Sequence, residues 1–386
     1  RIGVDPSTVV GARRGDPLEP ASLRTGRPGS FLLDATLELG PGQSRRWYIV
    51  ADAAQSHADV ARVRNLLRGN ESLVRQIEDD IAGSASELRN IVARADGLQH
   101  TASSKIDAHH LANTLFNVMR GGAFLRGYEV AADRFRSFVT DRNREVAQRH
   151  ADWLEHLPES LDVADLRHQA AEQGDPNLVR LAAEYLPLAF SRRHGDPSRP
   201  WNHFAIRVRD ERGDPLLSYQ GNWRDIFQNW EALCRSYPGF LPSIVAKFLN
   251  ASTADGFNPY RITSEGIDWE VLEPDNPWAG IGYWGDHQIV YLYRLLKAQE
   301  DHSPGWLVDE LGRQAYTFAD VPYRIAPFDE LLRHPKATVD FDHDAETATE
   351  HRVERLGADG KLLENADGEI VHVSMLEKLL IPALAK

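Results

Sequence analysis

The spacing of hydrophobic residues changes once along the chain, at Ser56. Apolar and polar residues alternate over 31–39, and a second apolar run covers 46–50 after a Gly-Pro-Gly loop. A period of two is typical of strands, and a short loop between two such runs predicts an antiparallel hairpin. A strand pair is too small to be stable alone. The sequence therefore predicts that this hairpin ends a β-domain.

Beyond Ser56 the apolar residues follow the 3.6-residue period of helices. Ser56 and Asp59 have the spacing of a capping box, in which two side chains satisfy free N–H groups of the first turn. Ser374 and Glu377 have the same spacing before the last predicted helix. The predicted helical segments cover 56–69, 73–92, 109–122, 128–150, 178–190, 289–300 and 306–314.

Short loops between these helices favour a toroid of helical hairpins. The third helix is predicted to end at Gly121-Gly122, because glycine readily ends helices. An insertion at 338–373 is predicted to contain two hairpin turns, at Asp359-Gly360 and Asp367-Gly368.

Composition narrows the class of protein. The 386 residues carry a formal net charge of −13, which argues against a nucleic-acid partner. No run approaches the ~18 consecutive apolar residues of a membrane span. The single cysteine, Cys234, excludes an internal disulfide and a cysteine metal cluster, and low cysteine use favours the cytoplasm. His109 and His110 point to different sides of a helix, so no metal site is predicted.

Tryptophan is concentrated in one part of the chain, between residues 201 and 306. Seven of the nine tryptophans lie there: Trp201, Trp223, Trp230, Trp269, Trp278, Trp284 and Trp306. Indole has a flat apolar face and an N–H donor, which together suit the C–H faces and hydroxyl rim of a sugar. The alternative is a tryptophan-rich helical core. We favour a carbohydrate-active protein and keep the alternative open.

The stretch Trp223-Arg-Asp-Ile-Phe-Gln-Asn-Trp230 is predicted to lie at a loop-to-helix junction. On a helix, Asp225 and Asn229 share one face, and Arg224 and Gln228 share another. Polar groups at the start of a helix suit recognition of sugar hydroxyls. The alternative is a structural ion pair between Arg224 and Asp225. Sugar binding is favoured because Asn222, Gln228 and Asn229 add uncharged hydrogen-bonding groups at the same place.

A second polar stretch, Gly282-Tyr-Trp-Gly-Asp-His-Gln288, precedes a predicted helix. Asp286 has three interpretations: a helix N-cap, a general acid, or an ionised group that binds hydroxyls. Its neighbours Tyr283, Trp284 and His287 favour a pocket. Inverting glycosidases need two carboxyls about 6.5–9.5 Å apart. Other carboxylates of this region are Glu265, Asp268, Glu270, Glu273 and Asp275.

These motifs resemble glycoside hydrolase family 94, the cellobiose- and chitobiose-phosphorylase-like enzymes. The stretch Pro41-Gly-Gln43 resembles part of the last hairpin of that family's β-sandwich, and Trp223-Arg-Asp-Ile-Phe-Gln228 resembles its Arg-Asp-x-x-Gln motif. The resemblance implies a mainly α fold with an (α/α)6 barrel. Residues 1–55 would end the β-sandwich, 56–125 would form a helical linker, and 126–386 would form the incomplete barrel.

The same resemblance implies roles for individual residues. Arg224 and Asp225 would hold the glycosyl unit in the −1 subsite, with Trp223 and Gln228 beside it. Further sugar-binding residues would be Tyr283, Trp284, Asp286 and His287. The implied activity is inverting attack on a β-linked gluco-oligosaccharide by water or by inorganic phosphate as co-substrate. No other cofactor is expected, and a homodimer is left open.

One departure from the family concerns the general acid. That family carries the acid in a Trp-Asn-Asp triplet, and here Trp201-Asn202 is followed by His203. We therefore expect the acid to lie beyond residue 386, in a longer protein of which this chain is an internal fragment. The alternative function is a non-catalytic carbohydrate-binding or scaffold protein with the same fold.

Overall fold

The computed structural model describes most of the chain. The described residues are 2–6, 8–17, 23, 25–26, 28–51, 55–69, 72–191, 216–258, 261–269, 283–284, 289–334 and 339–384. They fall into two units, Arg1–Ala82 and Gly83–Lys386. Helices dominate these residues and every strand has only two or three residues, so the prediction of a mainly α protein is confirmed. The (α/α)6 barrel and the domain limits at 55 and 125 stay predictions.

The first unit has few regular elements. They are β1 (Ile2–Gly3), α1 (Thr8–Ala12), β2 (Leu32–Leu33), α2 (His57–Gly69) and the start of α3 (Leu73–Arg94), which continues into the second unit. β1 and β2 pair antiparallel, with Ile2 opposite Leu33. The predicted hairpin between 31–39 and 46–50 is therefore wrong, since the described residues 34–51 contain no strand.

The alternating pattern fails here because its apolar side chains stay in solvent. Leu37, Leu39, Ile49 and Val50 are 46–74% exposed. Alternation stabilises a strand only where one face is buried against another element. The capping box predicted at Ser56, directly after this stretch, is confirmed. Ser56 N donates to Asp59 Oδ2 (3.1 Å) and Asp59 N donates to Ser56 Oγ (3.3 Å), which is the predicted capping box at the start of α2.

The second unit holds the remaining elements. Its first part contains α4 (Ser104–Gly121), β3 (Glu129–Ala131), α5 (Ala132–Arg142), α6 (Arg144–Arg149), α7 (Ala151–His156), β4 (Ser160–Asp162), α8 (Val163–Glu172) and α9 (Pro176–Glu184). Its middle part contains β5 (Gln220–Asn222), α10 (Trp223–Leu233), a 3₁₀ turn (Pro238–Phe240), α11 (Leu241–Asn250), β6 (Phe257–Asn258), β7 (Arg261–Thr263), β8 (Ile267–Asp268) and β9 (Tyr283–Trp284). Its last part contains α12 (Ile289–His302), α13 (Trp306–Leu311), β10 (Gln314–Tyr316), β11 (Tyr323–Ile325), α14 (Phe328–Arg333), β12 (Val339–Phe341), α15 (His343–Leu356), a second 3₁₀ turn (Ala358–Lys361), β13 (Val373–Ser374) and α16 (Met375–Leu384).

The strands of this unit form small antiparallel sheets. The pairings are β3 with β4, β5 with β7 with β8, β6 with β9, β10 with β13, and β11 with β12. Within the described part of the chain no parallel sheet runs through the unit, so packed helices supply the core.

Helix α4 packs directly against α10. Gly121, the last residue of α4, comes so close that a Cβ there would lie 2.9 Å from Trp230 Cδ1. Trp230 Nε1 donates to Gly121 O at 2.8 Å, which satisfies one carbonyl at the end of α4. The predicted helix end at Gly121 is therefore confirmed, and the glycine also allows the two helices to touch.

The insertion at 338–373 differs from its prediction. It contains the 14-residue helix α15, which the sequence pattern did not indicate. Asp359-Gly360 lies in the 3₁₀ turn rather than in a hairpin. The turn at Asp367-Gly368 is confirmed, because Gly368 has φ +78° and Glu364 pairs antiparallel with Ile370 across it.

The last predicted capping box is also present. Ser374 N donates to Glu377 Oε2 (2.7 Å), and Glu377 N donates to Ser374 Oγ (3.2 Å). These bonds start α16 as predicted.

Candidate functional site

The predicted sugar-binding motif lies where a strand passes directly into a helix. β5 ends at Asn222 and α10 begins at Trp223. Gly221 allows α10 to fold back onto β5, since a Cβ at this position would lie 2.8 Å from Ile226 Cδ1. The predicted junction is thus confirmed, with a short strand in place of a loop before the helix.

The tryptophans of this motif are buried. The Trp223 ring, 2% exposed, lies 4.6 Å from the Phe248 ring and 6.0 Å from the Phe227 ring. Trp230 is fully buried, and Trp269 is 8% exposed. These three rings fit the alternative of a tryptophan-rich core. Trp223 Nε1 is buried and has no hydrogen-bond partner among the described residues.

The polar residues of the motif differ in exposure. Asp225 is half-buried in the first turn of α10, and Gln228 is exposed. Asn229 is buried and donates from Nδ2 to Asn117 Oδ1 of α4 at 3.0 Å, so it holds two helices together. The side chain of Arg224 lies outside the described residues. Asp225 and Gln228 therefore are the described members of the predicted site with access to solvent.

The second half of the predicted site is described only in its backbone at 283–284. β9 pairs antiparallel with β6, with Phe257 opposite Trp284 and Asn258 opposite Tyr283. The side chains of Tyr283 and Trp284, and the whole of Asp286 and His287, lie outside the described residues. The three interpretations of Asp286 therefore stay open.

The backbones of the two halves are connected in sequence through the helical hairpin of α10 and α11. α10 and α11 are joined by a 3₁₀ turn, and Phe248 near the end of α11 contacts Trp223 at the start of α10. A tight turn links α11 to β6, in which Thr253 N donates to Phe257 O (2.8 Å) and Phe257 N donates to Thr253 Oγ1 (2.9 Å). β6 therefore follows the end of α11 by one tight turn, with its partner β9 beside it.

Two of the candidate carboxylates near this end are described. Asp268 is held by two cations, with Arg261 Nη2 at 2.8 Å and Lys361 Nζ at 3.3 Å. Glu265 is exposed in the turn between β7 and β8. We assign Asp268 to the structure of the small sheet. Glu270, Glu273 and Asp275 lie outside the described residues.

The described residues also bear on the predictions for metal ligands, membrane spans, the paired histidines and the cysteine. No group of three or more His, Cys, Asp or Glu residues among them could hold a metal ion. None of the helices they form is both long and apolar enough to cross a membrane.

His109 is exposed, whereas His110 is half-buried with Nε2 2.7 Å from Asp96 O, as the helix geometry predicted. Cys234 is buried, and burial raises the pKa of its thiol.

Sequence reasoning missed a buried network of charged residues. Arg142 of α5 and Arg180 of α9 bind two carboxylates, Glu184 of α9 and Asp359 of the second 3₁₀ turn. All four side chains are at most 4% exposed. Arg142 Nη2 lies 2.8 Å from Glu184 Oε2, and Arg142 Nε lies 3.0 Å from Asp359 Oδ1. The network joins helices that are far apart in sequence.

The two arginines of this network keep the carboxylate of Glu184 ionised. Burial alone would raise the pKa of Glu184, but Arg142 and Arg180 outweigh it and lower that pKa to about 2. Asn250 of α11 adds a hydrogen bond to Glu184 Oε1 at 2.6 Å. The one feature of the sequence that could have indicated this network is the four-residue spacing of Arg180 and Glu184, in a stretch that also contains buried leucines. That spacing is more often a solvated surface pair.

An open pocket of about 560 Å³ lies between the start of α9 and the hairpin that precedes β13. Asp175 caps α9 by accepting from Asn177 N (2.8 Å) and also binds Arg149 and His150. Burial, reinforced by Arg180, lowers the pKa of His372 to about 4. The described lining has hydrogen-bonding groups but no Phe, Tyr or Trp ring, so it lacks a stacking surface for a sugar.

Comparison with protein families gives one match. Residues 124–187 match the family model described as glycoside hydrolase family 149 insertion domain 1. The matched segment contains β3, β4 and helices α5 to α9, including Arg142, Arg180 and Glu184. No curated protein matches the sequence. The match supports a glycoside-hydrolase-like protein, and it does not support the specific assignment to family 94 that the motifs suggested.

Proposed function

We propose that the protein is a carbohydrate-active enzyme of the glycoside phosphorylase or hydrolase type, which acts with inversion on a β-linked gluco-oligosaccharide. The observation that carries this proposal is the match of 124–187 to an insertion domain of a glycoside hydrolase family. The polar motif at the start of α10 is a second, independent support, because it was identified from residues outside the matched segment.

In this proposal the sugar lies at the start of α10. Asp225 is in the first turn, where the helix dipole and free N–H groups favour a carboxylate that stays ionised. An ionised carboxylate beside Arg224 and Gln228 can accept hydrogen bonds from several hydroxyls of one sugar ring. The proposed binding set is Trp223, Arg224, Asp225, Gln228, Tyr283, Trp284, Asp286 and His287.

The burial of Trp223 changes its proposed role. Its ring packs on Phe227 and Phe248, so it cannot present a face to a sugar in this structure. We propose instead that the buried ring of Trp223 fixes the position of the first turn of α10. The Nε1–H group of Trp223 is then the one donor that this side chain offers to the site. Stacking on the sugar would fall to Trp284.

We propose Asp286 as the general acid within this chain, in place of the acid that the family resemblance would put beyond residue 386. An inverting acid protonates the glycosidic oxygen while water or phosphate attacks C1 from the opposite face. Attack by water releases a free sugar, whereas attack by phosphate releases a sugar 1-phosphate. Inorganic phosphate is thus the co-substrate of one alternative.

Product analysis tests this function. The protein is incubated with a panel of β-linked glucose disaccharides, with and without inorganic phosphate, and products are separated by anion-exchange chromatography. We expect cleavage of at least one disaccharide, with an α-configured product by NMR, and Asp286→Asn should abolish it. Absence of product on every disaccharide under both conditions would contradict the enzymatic proposal.

Calorimetric binding of the same disaccharides then separates the two functions. Binding without any cleavage would favour the non-catalytic carbohydrate-binding alternative. Absence of both would remove the carbohydrate proposal as a whole.

A further inference from the structure

A small cavity adjoins the buried charge network. Its volume is about 20 Å³, and its polar lining consists of Arg142, Glu184, Lys247 and Asn250. A site of about 10–15 Å³ is enough for one water molecule. The cavity therefore has room for a single particle of about that size, and a tetrahedral oxyanion such as phosphate is too large for it.

The charges around this cavity do not balance. Arg142 and Arg180 are matched by Glu184 and Asp359, because each arginine contacts both carboxylates. Lys247 of α11 is a third cation, only 4% exposed, and every acid of the network is already paired. The Lys247 Nζ lies 5.2 Å from the centre of the Tyr219 ring, and the acids that act on its charge are Glu184 and Asp359, which the two arginines already bind.

A second donor at the cavity also lacks a partner. Arg142 Nη1 is buried and makes no hydrogen bond within the described part of the chain. Gly266 lines the same cavity beside this nitrogen, where a Cβ would be in ordinary van der Waals contact at 3.6 Å from Arg142 Nη1. Glu184 already accepts bonds from Arg142, Arg180 and Asn250. The cavity thus presents an unpaired guanidinium nitrogen of Arg142 and the ammonium of Lys247, next to a Glu184 carboxylate that other donors already bind.

We infer that this cavity binds a small monovalent anion of halide size, held by Lys247 Nζ and Arg142 Nη1. A buried unpaired charge is costly, and an anion would compensate it where a neutral water would only hydrogen-bond. The site lies among α5, α9, α11 and the turn between β7 and β8, and it includes none of the proposed sugar-binding residues. It is a site for a stabilising ion, and its occupancy does not depend on the carbohydrate proposal.

Protonation of Lys247 links halide binding to pH. In the anion-free cavity burial, reinforced by Arg142 and Arg180 against Glu184 and Asp359, lowers the pKa of Lys247 to about 7. Of the other groups facing it, Glu184 has a pKa of about 2, and burial raises the pKa of Tyr219 far above its ordinary value. Since the anion requires the ammonium form, apparent halide affinity should fall about tenfold for each pH unit above 7.

Thermal unfolding in chloride-free buffer tests the site. Sodium chloride or sodium bromide is titrated at pH 6.5 against sodium gluconate and sodium sulfate at matched ionic strength. Above the dissociation constant, we expect the midpoint to rise by about 2 °C per tenfold increase in halide. The rise should shift to higher halide concentration at pH 8.5. Equal midpoints in halide, gluconate and sulfate at pH 6.5 would overturn the inference in favour of a bound water.

Two variants locate the effect. Lys247→Met keeps the apolar stem and removes the charge, so its midpoint should not respond to halide. Lys297→Met is the matched control, because Lys297 is 60% exposed in α12 and pairs with Asp301 on the surface. It should keep the full halide response. A Lys247→Met protein that keeps that response would also overturn the inference, and the parent protein's halide and pH dependence tests it without any variant.

Discussion

Helices α9 and α10 each carry an arginine and an acid, yet the two acids, Glu184 and Asp225, have different surroundings. Arg180 and Glu184 of α9 are buried, and between them they contact Arg142, Asn250 and Asp359. Asp225 of α10 is half-buried at the first turn. The residue types are alike in the two helices. The difference shows that an arginine–acid pair on a helix acquires its role from the other elements that reach it.

The two settings have different energetic consequences. A buried ion pair loses its hydration, so removal of one partner leaves the other charge uncompensated and strongly destabilises the fold. A carboxylate at a helix start keeps part of its hydration and is stabilised by the helix itself, so it can exchange water for a ligand. Substitutions in α9 should therefore reduce stability, and substitutions at the start of α10 should reduce binding.

The largest effect is expected at Asp359. Replacing Asp359 by Ala strands Arg142 and Arg180 in the core, which should lower the free energy of unfolding by about 3–5 kcal/mol. Urea denaturation measures the loss. Glu145→Ala is the control, since Glu145 pairs with Arg355 at the surface and should cost at most about 1 kcal/mol. Equal losses in the two variants would contradict the distinction.

The next effect concerns acid stability. Because Glu184 has a pKa of about 2 in the folded protein against an ordinary 4.5, its contribution is fully present above pH 4.5. It should be lost as the pH falls towards 2, by about 3 kcal/mol. Thermal midpoints between pH 7 and 2 measure this. Glu184→Gln should be less stable at pH 7 and show a flatter acid limb, whereas the exposed Glu172→Gln should follow the parent protein.

At α10 the expected loss is in binding. Asp225→Ala should remove charge-assisted hydrogen bonds of roughly 1.5–3 kcal/mol each, and sugar binding should weaken by about one to two orders of magnitude. Calorimetry measures the affinity. The fold should lose at most about 1 kcal/mol. Asp165→Ala, at an exposed first-turn acid of α8, controls for the helix dipole. A loss of several kcal/mol in Asp225→Ala without sugar would instead reveal a structural bridge to Arg224.

The smallest effect compares the two helix starts. Asp175 caps α9 with bonds from two backbone N–H groups and also binds Arg149 and His150, so Asp175→Ala should cost at least about 1–2 kcal/mol. Asn222 caps α10 without a side-chain hydrogen bond to the helix. Asn222→Ala should therefore cost only about 0.5 kcal/mol or less by thermal unfolding. A cost equal to that of Asp175→Ala would mean that Asn222 has a structural role at this junction.

The sequence alone determined features that depend on neighbouring residues. Both capping boxes, the helix end at Gly121, the turn at Asp367-Gly368 and the junction at Trp223 lie where the pattern predicts them. Each of these depends on contacts within a few residues, so its physical cause is visible in a short stretch. The excess of helix over strand follows from the same local period.

Tertiary structure decided what depends on distant partners. The alternating stretch at 31–39 did not form a hairpin, because no element of the described residues covers its apolar face. Asp359 looked like a turn residue, yet it lies in the core beside Arg142, 217 positions away along the chain. Lys247 is the one cation of the apolar helix α11, and the packing of α9 against α11 buries it beside the charge network. The burial of a side chain and the balance of charges around it depend on residues from distant parts of the chain. A pattern within a short stretch therefore cannot predict them.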